Sequence, residues 1–163
     1  MDENGSKYRR LDIVIDSGAF RSVLPPGIAP DYPTLDVPES ELPKARTATG
    51  ERVPVLGKKT ISCCFNNGAT KSLQFLVMEV MRPLASVSQM IANDCRVVFD
   101  GIKGENSFIH HKPSGDRHKL FLTGGVFILP VWILSGPGST EPEHQLSEMA
   151  EAQPDFHRQA QML

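Results

Sequence analysis

Short apolar runs separated by turn residues constrain the fold of this chain most. The runs are rich in β-branched residues, and they are divided by Pro-Pro-Gly at 25–27, Asn-Asn-Gly at 66–68 and Gly-Gly at 124–125. Asn and Gly accept the positive φ angles that tight hairpins need. The chain also has 13 Gly and 13 Pro but only 1 Trp. This pattern predicts a mainly β, barrel-like domain rather than a helical bundle.

Hydrophobic periodicity assigns the individual elements. Apolar spacing at Leu84, Val87, Met90 and Ile91 predicts one short helix over residues 84–91. A hairpin with a turn at Gly50-Glu51 is predicted over residues 46–56, and its second arm contains Pro54, which suggests an edge strand. The other predicted strands cover residues 11–15, 22–24, 60–65, 71–81, 96–99, 107–110, 120–123 and 126–134.

The overall charge and the cysteine count exclude several classes of protein. The formal net charge is −2 and the isoelectric point is near 6.2, so no nucleic-acid-binding surface is expected. No apolar run approaches the roughly 20 residues of a membrane span. Three cysteines without paired spacing indicate a reducing compartment, and we expect a cytoplasmic protein.

One carboxylate follows the first apolar run directly. Asp16 comes after Ile13-Val14-Ile15 and opens the turn Asp16-Ser17-Gly18-Ala19. Gly18 allows close backbone approach in such a turn, and Ala19 keeps the space small. Two facing carboxylates can share one proton, so that one acts as a base toward water and the other as an acid toward a carbonyl. Because Asp16 stands in the single Asp-Ser-Gly of the chain, a second carboxylate would have to come from a second copy.

Three segments resemble the retropepsin family, the dimeric aspartic proteases of retroviruses and retrotransposons. DSGAFRSVL at 16–24 is similar to the active-site segment of that family, and TATGERVPV at 47–55 stands where the family has its flap hairpin. PLASVSQMIANDCRVVF at 83–99 resembles the helix and closing strand, especially in copia-type polyproteins. The chain departs from the family at Val80-Met81-Arg82, where retroviral members have an apolar pair followed by Gly.

The resemblance implies a retropepsin-like closed β-barrel, the half-unit of an acid protease, over residues 11–100. It implies an aspartic endopeptidase that forms a homodimer, cleaves polypeptide within a retroelement polyprotein, and needs water but no cofactor or metal. Asp16 would be catalytic, supported by Ser17, Gly18 and Ala19. The flap that binds substrate would consist of Thr47, Ala48, Thr49, Gly50 and Glu51.

The rest of the chain is assigned from composition and patterning. Residues 1–10 are charged and are expected to be a flexible N-terminus. Residues 101–135 are expected to form a β extension that packs on the core, although its apolar cluster could equally serve an interface. Residues 136–163 lack a sustained apolar period, which predicts a disordered or loosely helical tail.

Several alternative readings remain. Asp-Ser-Gly is often an ordinary turn, so the chain could be a catalytically inactive, retropepsin-derived module for dimerisation or peptide binding, or an unrelated small β-barrel. Ser17 as a nucleophile is disfavoured because Gly-x-Ser-x-Gly is absent. The spacings of Cys95, His110, His111 and His118 fit no standard zinc site. The basic residues Arg46, Arg52, Lys58 and Lys59 are most simply a solvated hairpin face, with RNA contact as the alternative.

Overall fold

A computed structural model describes residues 9–42, 50 and 53–137. It is mainly β with one short α-helix, as the sequence predicts. The strands are β1 (Arg9–Asp16), β2 (Val23–Leu24), β3 (Val55–Cys64), β4 (Thr70–Met78), β5 (Leu84–Ser86), β6 (Cys95–Val98), β7 (Phe108–His111), β8 (Arg117–Lys119), β9 (Phe121–Thr123) and β10 (Val126–Ile133). A 3-10 helix covers Glu39–Glu41, and the α-helix, α1, covers Val87–Ala92.

Seven strands form the main sheet, in the order β1-β5-β2-β4-β3-β10-β9. β10 also pairs with β1, antiparallel, from Arg9 opposite Ile133 to Val14 opposite Ile128. Two pairs in this sheet are parallel, namely β1 with β5 and β2 with β4. The order of hydrogen-bonded neighbours therefore starts at β1 and returns to β1 through β10.

Two predicted hairpin turns are confirmed. Asn66-Asn67-Gly68 joins β3 to β4, and Gly68 has a φ of 85°. Gly124-Gly125 joins β9 to β10, with φ angles of 57° and 81°. Both turns need the left-handed backbone region, which glycine enters without the steric penalty of a Cβ atom.

β3 is longer than predicted, because it begins at Val55 instead of Thr60. The prediction took Gly57-Lys58-Lys59 for a break between strands. Instead, the β3–β4 register shifts at Gly57, and Lys58 makes a two-way backbone bridge with Leu35 at 2.8 Å in each direction. A Cβ on Gly57 would lie 2.6 Å from the Leu35 carbonyl oxygen. Gly57 therefore permits the preceding loop to lie directly against the strand.

Lys59 does not lie on a solvated face, which corrects that part of the sequence interpretation. Its side chain is buried, and Nζ donates to the carbonyl oxygens of Ile28 and Ala29 at 2.9 and 3.0 Å. Burial lowers the pKa of Lys59 below its ordinary value. The ammonium group thus ties the loop after β2 to β3 instead of meeting solvent.

The predicted helix begins three residues later than expected. Leu84–Ser86 is strand β5, which runs parallel to β1 and places Ala85 opposite Ile15. Only from Val87 does the chain become helical, after Ser86 accepts the Gln89 N–H as an N-cap at 3.3 Å. Pairing with β1 thus overrides the helical spacing that Leu84 contributes.

A second, three-stranded sheet has the order β6-β7-β8. β8 was not predicted, because Arg117-His118-Lys119 carries no apolar residue. Its central residue pairs with Ile109 of β7 and is buried, as is Ile109. Ile109 belongs to the same apolar core as Ile13, Ile61 and Val131 of the main sheet.

Some predictions concern residues outside the described ranges or stay untested. Residues 1–8 and 138–163 lie outside the described residues, while Arg9 and Arg10 belong to β1. Residues 101–135 supply β7 to β10, and the proposed boundary at Asp100 stays a prediction. Within the described ranges, no helix has the length and apolar character needed to cross a membrane.

Candidate functional site

Strand β1 carries Asp16 to the surface. Ile13, Val14 and Ile15 are all buried, so the strand is fixed in the core up to the residue before the carboxylate. Asp16 is the last residue of the strand and lies opposite Ser86 in the parallel β1–β5 register. The side chain is half-buried, so the carboxylate has a rigid base and an accessible side.

The turn after β1 hydrogen-bonds to the Asp16 carboxylate. The Gly18 N–H donates to Oδ1 at 2.8 Å, and the Ala19 N–H approaches the Asp16 carbonyl oxygen at 3.4 Å. A Cβ on Gly18 would lie 3.3 Å from the same Oδ1, a distance tighter than most real Cβ contacts. Gly18 therefore lets the backbone approach closely enough for its N–H to orient the carboxylate.

A hydrogen-bond network around the buried Ser86 side chain supports this turn from β5 and α1. The Ser86 side chain is fully buried, and its Oγ donates to the Ala19 carbonyl oxygen at 2.7 Å. The Ser86 N–H donates to Ser22 Oγ at 2.9 Å, and the Ser22 N–H donates to Gln89 Oε1 at 2.6 Å. The turn is thus joined to β5 and to the first turn of α1 through side-chain hydrogen bonds.

Sequence reasoning did not identify this network as part of the site. Ser86 and Gln89 lie in the segment 83–99 that resembles the helix of the protease family, but neither was assigned a role. Their contact with residues 19–22 spans 67 positions of the chain. The only available signal was the density of hydroxyl and amide residues in LASVSQM, next to an apolar strand.

Only some of the predicted site residues contribute to the hydrogen-bonded turn. Asp16, Gly18 and Ala19 take part in the turn described above. Ser17 is exposed, and its hydroxyl makes no hydrogen bond with any described residue. Of the predicted flap, only Gly50 is described. It is exposed, with a φ of 88°, and Thr47, Ala48, Thr49 and Glu51 lie outside the described residues.

The cysteine and histidine residues considered for a metal site lie on neighbouring strands, with Cys95 opposite His111 in the β6–β7 register, but they form no ion-binding group. Among residues 9–42, 50 and 53–137, no group of three or more His, Cys, Asp or Glu side chains is arranged to hold an ion. Cys63, Cys64 and Cys95 are free thiols. Burial raises the pKa of Cys63 to about 12, so this thiol stays protonated at neutral pH.

Comparisons with known proteins do not assign this chain to a family. Neither a scan against protein-family models nor a search of curated proteins finds a match to this chain. Function is therefore inferred from the chemistry of the site.

Proposed function

We propose that the chain is an aspartic endopeptidase of the retropepsin type, active as a homodimer. The observation that carries the proposal is the Asp16 carboxylate, held at the end of a buried strand by the Gly18 N–H and left accessible on one side. Within one chain, no second carboxylate among the described residues hydrogen-bonds to it. A twofold axis near the turn would bring two copies of Asp16 together.

The order of strand pairing agrees with the proposed barrel. The sequence of neighbours from β1 through β5, β2, β4, β3 and β10 back to β1 is what a small closed β-barrel requires. The turn with Asp16 then lies at one end of this barrel, since Asp16 ends β1. Free thiols at Cys63, Cys64 and Cys95 support a reducing compartment such as the cytoplasm.

The chemistry follows from two adjacent carboxyl groups. Because like charges in contact cannot both ionise easily, the two Asp16 groups would share one proton. The ionised group takes a proton from water, whose oxygen attacks the peptide carbonyl carbon, while the protonated group gives its proton to the carbonyl oxygen. The tetrahedral intermediate then collapses. The carboxyl group that took the proton from water gives it to the amine nitrogen, the C–N bond breaks, and the other carboxylate takes a proton back from a hydroxyl group as the carboxylic acid product forms. In the family it resembles, this activity matures a retroelement polyprotein.

Cleavage of a mixed peptide library between pH 4 and pH 7 tests the proposal. We expect cleavage with an optimum on the acid side, blocked by pepstatin and lost in Asp16→Asn. Asp12→Asn is the matched control, because Asp12 lies on the same strand but is exposed and paired with Arg10. Cleavage that persists in Asp16→Asn, or that lacks an acid optimum, would contradict an aspartic mechanism.

A catalytically inactive dimerisation or peptide-binding module is the second candidate. It is favoured by the lack of a second carboxylate against Asp16 among the described residues of one chain. Sedimentation equilibrium separates the two candidates when no cleavage is seen. A dimer without cleavage supports the inactive module, whereas a monomer under all conditions contradicts both the protease and the dimerisation module.

A further inference from the structure

The three-stranded sheet has an inner and an outer face that differ in chemistry. Residues directly opposite each other in antiparallel strands lie on the same face of a sheet. Val97, Ile109 and His118 stand opposite one another across β6, β7 and β8. Ile109 and His118 are buried, and Val97 packs against the apolar core. These residues belong to the inner face, and the residues that alternate with them form the outer face.

Six positions make up the outer face: Arg96 and Val98 of β6, Phe108 and His110 of β7, and Arg117 and Lys119 of β8. Arg96 and Arg117 are exposed, and the other four residues are half-buried. The outer face therefore carries the positive charges of two arginines and one lysine, and it contains no acidic residue. In this it differs from the whole chain, whose formal net charge is −2.

The three cations of the outer face have no carboxylate partner among the described residues. The ion pairs within the described ranges lie elsewhere and join Arg9 to Asp31, Arg10 to Asp12, Lys58 to Glu41 and Lys71 to Asp116. Asp116 precedes Arg117 in the chain, but its Oδ2 pairs with Lys71 Nζ at 3.5 Å. Unpaired charges of one sign raise the local concentration of oppositely charged partners. The outer face therefore suits an anionic partner.

Aromatic rings support two of these cations. Arg117 Cζ lies 4.6 Å from the centre of the Phe108 ring, and Lys119 Nζ lies 5.2 Å from the centre of the Phe121 ring. Such cation–π contacts hold the charged group near the ring. Because Arg117 is also exposed, its planar guanidinium group offers a supported surface on which a flat ring system can stack.

The combination of unpaired charge with planar groups indicates the class of the anion. Acidic peptides and lipid head groups supply negative charge, but their repeating units carry no flat ring next to each charge. Single-stranded nucleic acid supplies a phosphate and an unstacked base in every nucleotide. Surfaces that bind such strands combine basic side chains along the backbone with aromatic or arginine side chains that stack on bases.

We propose that the outer face of the three-stranded sheet binds single-stranded nucleic acid. Arg96 and Lys119 donate to phosphate oxygens, while Arg117, supported by Phe108, stacks on a base and adds a third positive charge. The proposal does not depend on the proposed proteolytic function, because no residue of the outer face belongs to the Asp16 turn or to the hydrogen-bond network around Ser86.

Fluorescence anisotropy with a labelled oligouridylate of 12 nucleotides tests the proposal in the wild-type chain. Three phosphate contacts to a single strand predict a slope of about −2 when log affinity is plotted against log salt concentration. We therefore expect affinity to fall roughly 20-fold between 50 and 200 mM salt. A labelled polyglutamate of 12 residues is the matched polyanion without bases, and it should bind at least about fivefold more weakly, since base stacking is lost.

Two substitutions at Arg117 separate charge from stacking. Arg117→Gln removes one charge, so the slope should weaken to about −1.4. Arg117→Lys keeps the charge but removes the planar group, so the slope should stay near −2 while affinity falls about fivefold. Arg82→Gln is the matched control and should change neither quantity, because Arg82 is also exposed but lies between β4 and β5, outside the three-stranded sheet.

An oligothymidylate of the same length identifies the source of the strand. Binding of either oligonucleotide supports the proposal, and the tighter one shows whether RNA or DNA is preferred. Absence of binding to both at 50 mM salt, equal affinity for polyglutamate, or equal losses from Arg82→Gln and Arg117→Gln would each overturn it. The comparison with polyglutamate uses the wild-type chain, so it decides the proposal even where a variant does not fold.

Discussion

The two ends of strand β1 use an aspartate in opposite ways. At the first end, Arg9 donates to both oxygens of Asp31 at 2.6 and 2.9 Å, and the Gly136 N–H donates to the same carboxylate. At the other end, Asp16 has one side-chain donor among the described residues, the Gly18 N–H. A carboxylate whose acceptor positions are filled holds parts of the chain together, whereas one with positions left open is available for chemistry.

The largest expected effect comes from substituting asparagine for each of the two aspartates, Asp31 and Asp16. Asp31→Asn leaves the partly buried Arg9 guanidinium without its counter-charge, and we expect a loss of about 2 kcal/mol in the free energy of unfolding. Asp16→Asn should change that free energy by less than about 0.5 kcal/mol. Urea unfolding of both variants at pH 7 measures the difference. Equal losses at the two positions would break the comparison.

The pH dependence of stability gives a sharper test of the role of Asp31. Burial would raise the pKa of Asp31, but the hydrogen bonds from Arg9 and Gly136 outweigh burial and hold this pKa below its ordinary value of 3.8. The unfolded chain therefore binds the proton more readily than the folded one, so the contribution of Asp31 is complete above pH 3.8 and is lost as the pH falls through the folded pKa. We expect the stability gap between wild type and Asp31→Asn to be constant from pH 7 to pH 5 and to shrink below pH 3.8. If the stability difference between wild type and Asp31→Asn already narrows between pH 7 and pH 5, the difference comes from the titration of another group.

Removal of the hydroxyl beneath the Asp16 turn should have a smaller effect. Ser86→Ala loses the bond to the Ala19 carbonyl oxygen and the cap of α1, and we expect a cost of about 1 kcal/mol. Ser88→Ala is the matched control, since Ser88 is exposed and, among the described residues, its hydroxyl hydrogen-bonds only to Ser86 Oγ, at 2.9 Å. Thermal unfolding compares the two. A larger loss from Ser88→Ala would mean that Ser86 does not support the turn.

The smallest effect is expected at Gly18. In Gly18→Ala the new Cβ would lie 3.3 Å from Asp16 Oδ1, so the carboxylate has to move by a few tenths of an ångström. Because the turn is exposed, the free energy of unfolding should change by less than about 0.5 kcal/mol. If the proposed protease activity is present, it should fall far more than stability does, since it depends on carboxylate geometry. A parallel change in both would place the role of Gly18 in folding.

Sequence patterns predicted those parts of the fold that a few neighbouring residues determine. The turns at 66–68 and 124–125 follow from the conformational freedom of Asn and Gly, and the buried run before Asp16 follows from its β-branched residues. The start of β3 and the strand β5 were missed because both depend on a distant partner, the backbone of Leu35 in one case and strand β1 in the other. No pattern within a short window carries that information.

The same distinction applies to the candidate site. The Asp16 turn is continuous in sequence, so its residues could be named in advance. The hydrogen bonds that Ser86 and Gln89 make with residues 19–22 join positions 67 residues apart, so no pattern in a short window reveals them.

The pairing of β1 with β10 has a consequence for how the chain is made. β1 is the first described strand to leave the ribosome and β10 is the last, so the edge of β1 that β10 covers stays open while every strand between them is synthesised. That edge belongs to an apolar strand, and unpaired apolar strands are prone to associate with other chains. We therefore expect the nascent chain to associate with other chains more readily before residue 133 is available than after β10 has paired with β1.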